Sequence, residues 1–177
     1  EDWACVLDEL VERGYNGVRI DAFPHFIANE AMKERTLIPV WNQEDWGSPA
    51  LNRITIQPAL TEFLGLCRER KITVGLSSWF REDKENIRMQ ITSPQIIAAW
   101  WVETLRIIEA AGLLDVVLFV DLCNEWPGIF WAPYFTNDPP ELTWGGWHTE
   151  KSMEWMRQSV ALFREAYPDL DTTYSFD

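Results

Sequence analysis

The segment Asp115-Val-Val-Leu-Phe-Val-Asp-Leu122 constrains this fold more than any other. Its apolar run is continuous instead of alternating, which predicts a strand covered on both faces, the usual condition in a parallel sheet. Parallel neighbours need long crossover connections, normally helices. The flanking sequence supplies them. Trp3, Val6, Leu7, Leu10 and Val11 recur at helical spacing up to Gly14, and Gly17-Val-Arg-Ile20 then reads as a short strand ended by Pro24. A second helix is expected from near Gln57-Pro58, with Leu60, Phe63, Leu64 and Cys67 on one face, followed by the strand Ile72-Thr-Val-Gly-Leu76. Ser93 and Pro94 open a third helix that closes at Gly112 and leads into the Asp115–Leu122 strand. A fourth helix is expected from about Thr149 to Tyr167, stopped by Pro168, and a last strand over Thr172–Phe176.

This order of helix and strand predicts the α/β class. The helix-to-strand connections are short, whereas Asp21 to Ile56, Ser77 to Thr92 and Glu125 to His148 are long strand-to-helix connections, all leaving the carboxyl ends of the strands. Loops of that length are usually functional. One elaborated face is the mark of a (β/α)8 TIM barrel, although a doubly wound sheet also binds ligands at that edge. A whole barrel needs roughly 250 residues and eight strands. The expectation is therefore a partial TIM barrel, from the first helix to the fifth strand, with residues 1–177 forming part of a single catalytic domain.

Composition narrows the partners. A formal charge of -13 argues against nucleic acid and anionic membranes, which are bound through clustered Lys and Arg. No apolar run reaches the ~18 residues of a membrane span. The three cysteines lack ligand spacing and read as buried apolar residues. There is no Gly-rich phosphate loop, no Gly-x-Ser-x-Gly elbow and no compact metal motif, so neither cofactor nor metal is expected. Eleven Trp are far more than packing usually recruits, and flat indole faces suit sugar rings. Trp3, Trp100, Trp101 and Trp155 fit helical packing patterns. Trp41, Trp46, Trp79, Trp126, Trp131, Trp144 and Trp147 fall outside them.

Glu125 stands just past the most apolar strand, beside Asn124 and Trp126, where a polar pair serves packing poorly. Glycoside hydrolysis needs one carboxylic acid to protonate the leaving oxygen and a second carboxylate to attack or to activate water. Glu125 is the candidate acid/base, with a structural salt bridge or loop cap as the plainer reading. Asn124 could meet a sugar hydroxyl, and Trp126 could form an apolar wall that raises the Glu pKa. Trp79, at a strand terminus, is the candidate stacking platform. Trp46 and His148 join the substrate-binding candidates from the long loops. Arg19 either serves the site or forms a buried ion pair, with Asp21 as a possible partner. His25 is a loop histidine, for substrate or for solvent. Asp21, His25, Glu125 and Asp177 near strand ends leave a metal-dependent sugar isomerase or epimerase as a minor alternative.

The segment Gly14-Tyr-Asn-Gly-Val-Arg-Ile20 and the pair Asn124-Glu125, in this strand order, resemble the clan of TIM-barrel glycoside hydrolases that includes the family 5 cellulases. The resemblance implies that Glu125 is the acid/base of a retaining, double-displacement hydrolysis of β-linked poly- or oligosaccharides. It implies that Asn124 contacts the sugar 2-hydroxyl and that Arg19 supports the nucleophile. That nucleophile is expected on the seventh strand, beyond Asp177. Ser77-Ser-Trp79 stands where the family often has His, and Trp126 where it commonly has Pro. A cellulase-like binding protein without a nucleophile is the alternative function.

Overall fold

A computed structural model describes residues 2–37, 52–81, 83–126 and 150–175. The Asp2 carboxylate caps helix α1 (Trp3–Glu12), accepting from the Cys5 amide at 3.2 Å. Gly14, at φ 85°, ends the turn that follows and admits β1 (Gly17–Asp21). Next come α2 (Pro24–Ala28), β2 (Glu34–Leu37), β3 (Asn52–Thr55), α3 (Ile56–Glu69), β4 (Thr73–Ser77) and α4 (Pro94–Ala110). Gly112 repeats the exit at φ 69°. The chain then forms β5 (Val117–Asp121), α5 (Glu150–Ala166) and β6 (Thr172–Thr173).

Strands β1, β4, β5 and β6 form one parallel sheet in that order, which is also their chain order. The direction of stepping decides the architecture. Right-handed crossovers that always step the same way place every helix on one face of the sheet, as in a barrel, whereas a doubly wound sheet reverses direction midway. The fold is a segment of a (β/α)8 barrel. Val74, Leu76 and Val120 are fully buried in the core, which also takes Leu64, Trp101, Leu105, Ile108 and Phe163 from the helices. Trp101 anchors α4 to the strand end by donating its indole N–H to the Leu122 carbonyl at 2.9 Å.

Three expectations need correction. The connection from Asp21 to Ile56 is not a plain loop: it contains α2 and an antiparallel ribbon of β2 with β3. Those strands are four residues each, mostly polar, and offer no periodic apolar signal. Arg35 at 3% exposure clasps the ribbon to the connection after β4, with Nη1 3.2 Å from Asp83 and 2.9 Å from Glu85. Second, the apolar run is not sealed on both faces, since Leu118 is 53% exposed. Its first part also folds as a 3-10 turn over Leu114–Val116. Third, among the described residues the last strand is paired in the sheet at Thr172–Thr173, although the Trp126 amide reaches the Ser175 carbonyl at 2.9 Å; Phe176 lies outside the described residues.

Candidate functional site

Strand alternation puts Arg19, Ser77 and Asp121 on the sheet face opposite the helices, and the register brings Arg19 beside Gly75 and Leu76 beside Val120. Asp121 is the centre of this group, fully buried. Its Oδ2 accepts from Arg19 Nη2 at 2.6 Å, from the Ser77 hydroxyl at 2.8 Å and from the Ser175 hydroxyl at 2.5 Å. Its Oδ1 accepts from the Ser175 amide at 3.0 Å. A buried carboxylate is tolerated only when paired and bonded in this way.

Asn124, 5% exposed, is held by its backbone amide on the Ser78 carbonyl at 2.9 Å. Its Oδ1 accepts from Arg19 Nη2 and, at 3.2 Å, from the Ser175 hydroxyl. A guanidinium can only donate, so the amide oxygen must face Arg19. The Asn124 Nδ2 donors are thereby left on the other side, without a partner among the described residues. Glu125 follows, half-buried, with a left-handed backbone at φ 54°. That conformation costs a non-glycine residue ~1–2 kcal/mol. Phe23 at φ 51° and Phe80 at φ 45° share it, so the exits of β1, β4 and β5 all carry strained non-glycine backbone.

Trp79 lies half-buried past β4, with the Arg19 guanidinium 5.3 Å from its ring centroid. Its backbone amide donates to Asp21 Oδ2 at 3.3 Å, while Asp21 Oδ1 accepts from the Phe23 amide at 3.0 Å. Burial pushes the Asp21 carboxyl up to about 6, against the opposing pull of the Phe23 and Trp79 amides, the Arg81 charge and the Ser78 hydroxyl.

The structure therefore brings Arg19, Asn124 and Trp79 together, with Glu125 the next residue in the chain after Asn124. Arg19 does not pair with Asp21; its carboxylate partner is Asp121. Trp126 lies beneath the site, at 0% exposure, with its ring centroid 5.8 Å from that of Trp155 and 5.1 Å from that of Tyr174. His25 is neither a substrate-facing nor a solvent-facing loop residue: α2 buries it fully, its ring lies 3.9 Å from Phe26, and Nε2 is 3.0 Å from the Arg81 carbonyl. Trp46, His148 and Asp177 lie outside the described residues. Sequence reasoning missed Asp121, Ser77 and Ser175. Asp121 carried a signal, a carboxylate closing a strand that otherwise reads as core. Among the described residues no group of three or more His, Cys, Asp or Glu side chains could hold a metal ion. No described helix is long and apolar enough to cross a membrane.

The family model described as sugar-binding cellulase-like matches residues 1–177. A crystal structure from Parabacteroides distasonis, provisionally named a glycoside hydrolase, superposes with a TM-score of 0.93 at 52% identity. That match covers 99% of this chain and 46% of the other. An endocellulase from Pyrococcus horikoshii in complex with cellotetraose matches with a TM-score of 0.53 at 15% identity, over 97% of this chain and 44% of the other. A β-glycosidase matches at 0.55 and 13%, over 98% and 44%. At such identities these two are similar in fold alone. The chain spans less than half the length of the solved structures it matches. No curated protein sequence matches it.

Proposed function

This chain belongs to the sugar-binding cellulase-like family, and from that premise we propose that it forms the acid/base half of a retaining glycoside hydrolase acting on β-linked poly- or oligosaccharides. The observation that carries the reading is the pinned orientation of Asn124. Arg19 takes its amide oxygen and leaves the Nδ2 donors, without a partner among the described residues, for a sugar hydroxyl at the strand end. Glu125 protonates the glycosidic oxygen as the bond breaks, then as carboxylate draws a proton from the water that releases the sugar. Its left-handed backbone, directly past the exit of β5, supports this role, since strain of this kind gathers at functional sites. Trp79 offers an apolar ring face for a sugar. Trp46 and His148, on the long connections, are further substrate contacts in this reading. Trp126, being buried, acts from below by packing. The nucleophile would be a second carboxylate roughly 5 Å from Glu125, which we assign to the rest of the barrel.

In the full-length protein, Glu125→Ala should lower turnover of ordinary glycosides by about 10²- to 10⁴-fold. Azide should restore cleavage of substrates with activated leaving groups, as a β-glycosyl azide. Undiminished turnover in that variant would refute the assignment. The family description also supports a second reading, a sugar-binding barrel without hydrolysis. It requires the wild-type protein to bind cello-oligosaccharides and release no product.

A further inference from the structure

We propose that Asp21 is a positioning residue that fixes Trp79 as a sugar platform by joining the exits of β1 and β4 into one unit. The proposal rests on Trp79 having the platform role given above. Trp79 does not hold itself in place. Its indole Nε1 is buried without a hydrogen-bond partner among the described residues, so the ring has no polar anchor of its own there. The Arg19 guanidinium lies 5.3 Å from the ring centroid, an attraction that follows the ring and does not fix the backbone. The backbone is fixed from β1. Asp21 Oδ2 accepts the Trp79 amide while Oδ1 accepts the Phe23 amide, one carboxylate spanning two strand exits.

Those exits are where a restraint is needed. Phe23 and Phe80 both hold left-handed backbone that a non-glycine residue leaves unless its surroundings oppose the change. The ladder bond from the Ala22 amide to the Ser77 carbonyl at 2.9 Å ends before Trp79. The Asn124 amide to the Ser78 carbonyl, also 2.9 Å, ties β5 to the residue before it. Asp21 provides the next tie. Beside it lies an apolar pocket of about 220 Å³ lined by Trp3, Ile20, Ala22, Phe23, Ile56 and Phe63. Asp21 and Trp79 are both half-buried, so the carboxylate is the acceptor that fixes the direction of the Trp79 amide, which water replaces only loosely.

The test uses the full-length protein with Asp21→Asn, which keeps the shape and one carbonyl acceptor, and Asp21→Ala, which removes both acceptors. Hydrogen exchange at the Trp79 amide should accelerate by about 3- to 10-fold in Asp21→Asn and by more in Asp21→Ala, the range of one ordinary hydrogen bond. In the active enzyme KM for a soluble β-linked oligosaccharide should rise by a similar factor with kcat little changed. In a Trp79→Ala background, Asp21→Asn should leave KM within about twofold, because the residue acts through the ring. Unchanged exchange at the Trp79 amide overturns the proposal. So do effects of Asp21→Asn and Trp79→Ala on KM that simply multiply. If no glycan is bound or turned over, the Glu125 reading fails by itself, and the exchange measurement still decides the role of Asp21.

Discussion

His25 and Asp21 should make opposite contributions to acid stability that nearly cancel. His25 is fully buried among Phe26, Phe80 and Phe23. Burial first, then the Arg88 and Arg35 charges, lower its pKa to about 3, while the bond to the Arg81 carbonyl opposes them. A histidine kept neutral by folding lends stability that is complete above its unfolded value of 6.5 and drains away as pH falls toward 3. Asp21 has the reverse sign. Folding favours its protonated form, so its contribution is lost as pH rises through about 6 and is complete below its unfolded value of 3.8. Between about pH 7 and about pH 4.5, linkage gives a loss of ~2.5 kcal/mol from His25 and a gain of ~2 kcal/mol from Asp21. The wild-type protein should show little net change from this pair. In Asp21→Asn the histidine acts alone, and stability should fall ~2 kcal/mol more steeply over the same interval. In His25→Gln, with an uncharged side-chain amide in place of the imidazole, stability should instead gain ~2.5 kcal/mol relative to wild type as pH falls. Urea unfolding of the full-length protein at the two pH values, followed by tryptophan fluorescence, gives these differences free of every other titrating group. Parallel pH dependences in all three proteins would refute the reasoning.

Three further outcomes are expected. Asp121→Ala takes the shared acceptor from Ser77 and Ser175, while the Arg19 side chain at 37% exposure keeps access to water, and should cost about 1–3 kcal/mol in a denaturant titration; a loss under ~0.5 kcal/mol would show that the cluster adds nothing to stability. Glu125→Gly should be about 1 kcal/mol more stable than Glu125→Ala, because only glycine relieves the left-handed strain at φ 54°, and both should lower turnover by about 10²- to 10⁴-fold, measured by thermal melting and product release. Gly75→Ala would place a Cβ 2.5 Å from the Phe119 ring, and it should destabilise by about 1–3 kcal/mol, largely recovered in the Gly75→Ala, Phe119→Leu double variant.

The succession of helices and strands was legible in the sequence because each boundary rests on a local cause. Gly14 and Gly112 end helical turns at positive φ, Pro94 opens a helix, and the continuous apolar run marks the strand Val117–Asp121. Asn124 and Glu125 were legible for a related reason, as polar residues closing an apolar strand. The ribbon of β2 and β3 was not, because its residues are polar and what holds it is Arg35 reaching Asp83 and Glu85 about fifty positions away. Nor was the partner of Arg19. Both Asp21 and Asp121 end strands, and only the parallel register places Asp121, 102 residues along the chain, within 2.6 Å of the guanidinium. His25 and Trp126 looked like loop residues and proved to be core, since burial depends on which distant elements close over a side chain. Residue type and spacing thus determined the elements and the address of Glu125 in this protein. Which carboxylate balances Arg19, which way Asn124 points and what holds Trp79 were decided by tertiary contacts, because those bonds join strands that the sequence keeps far apart.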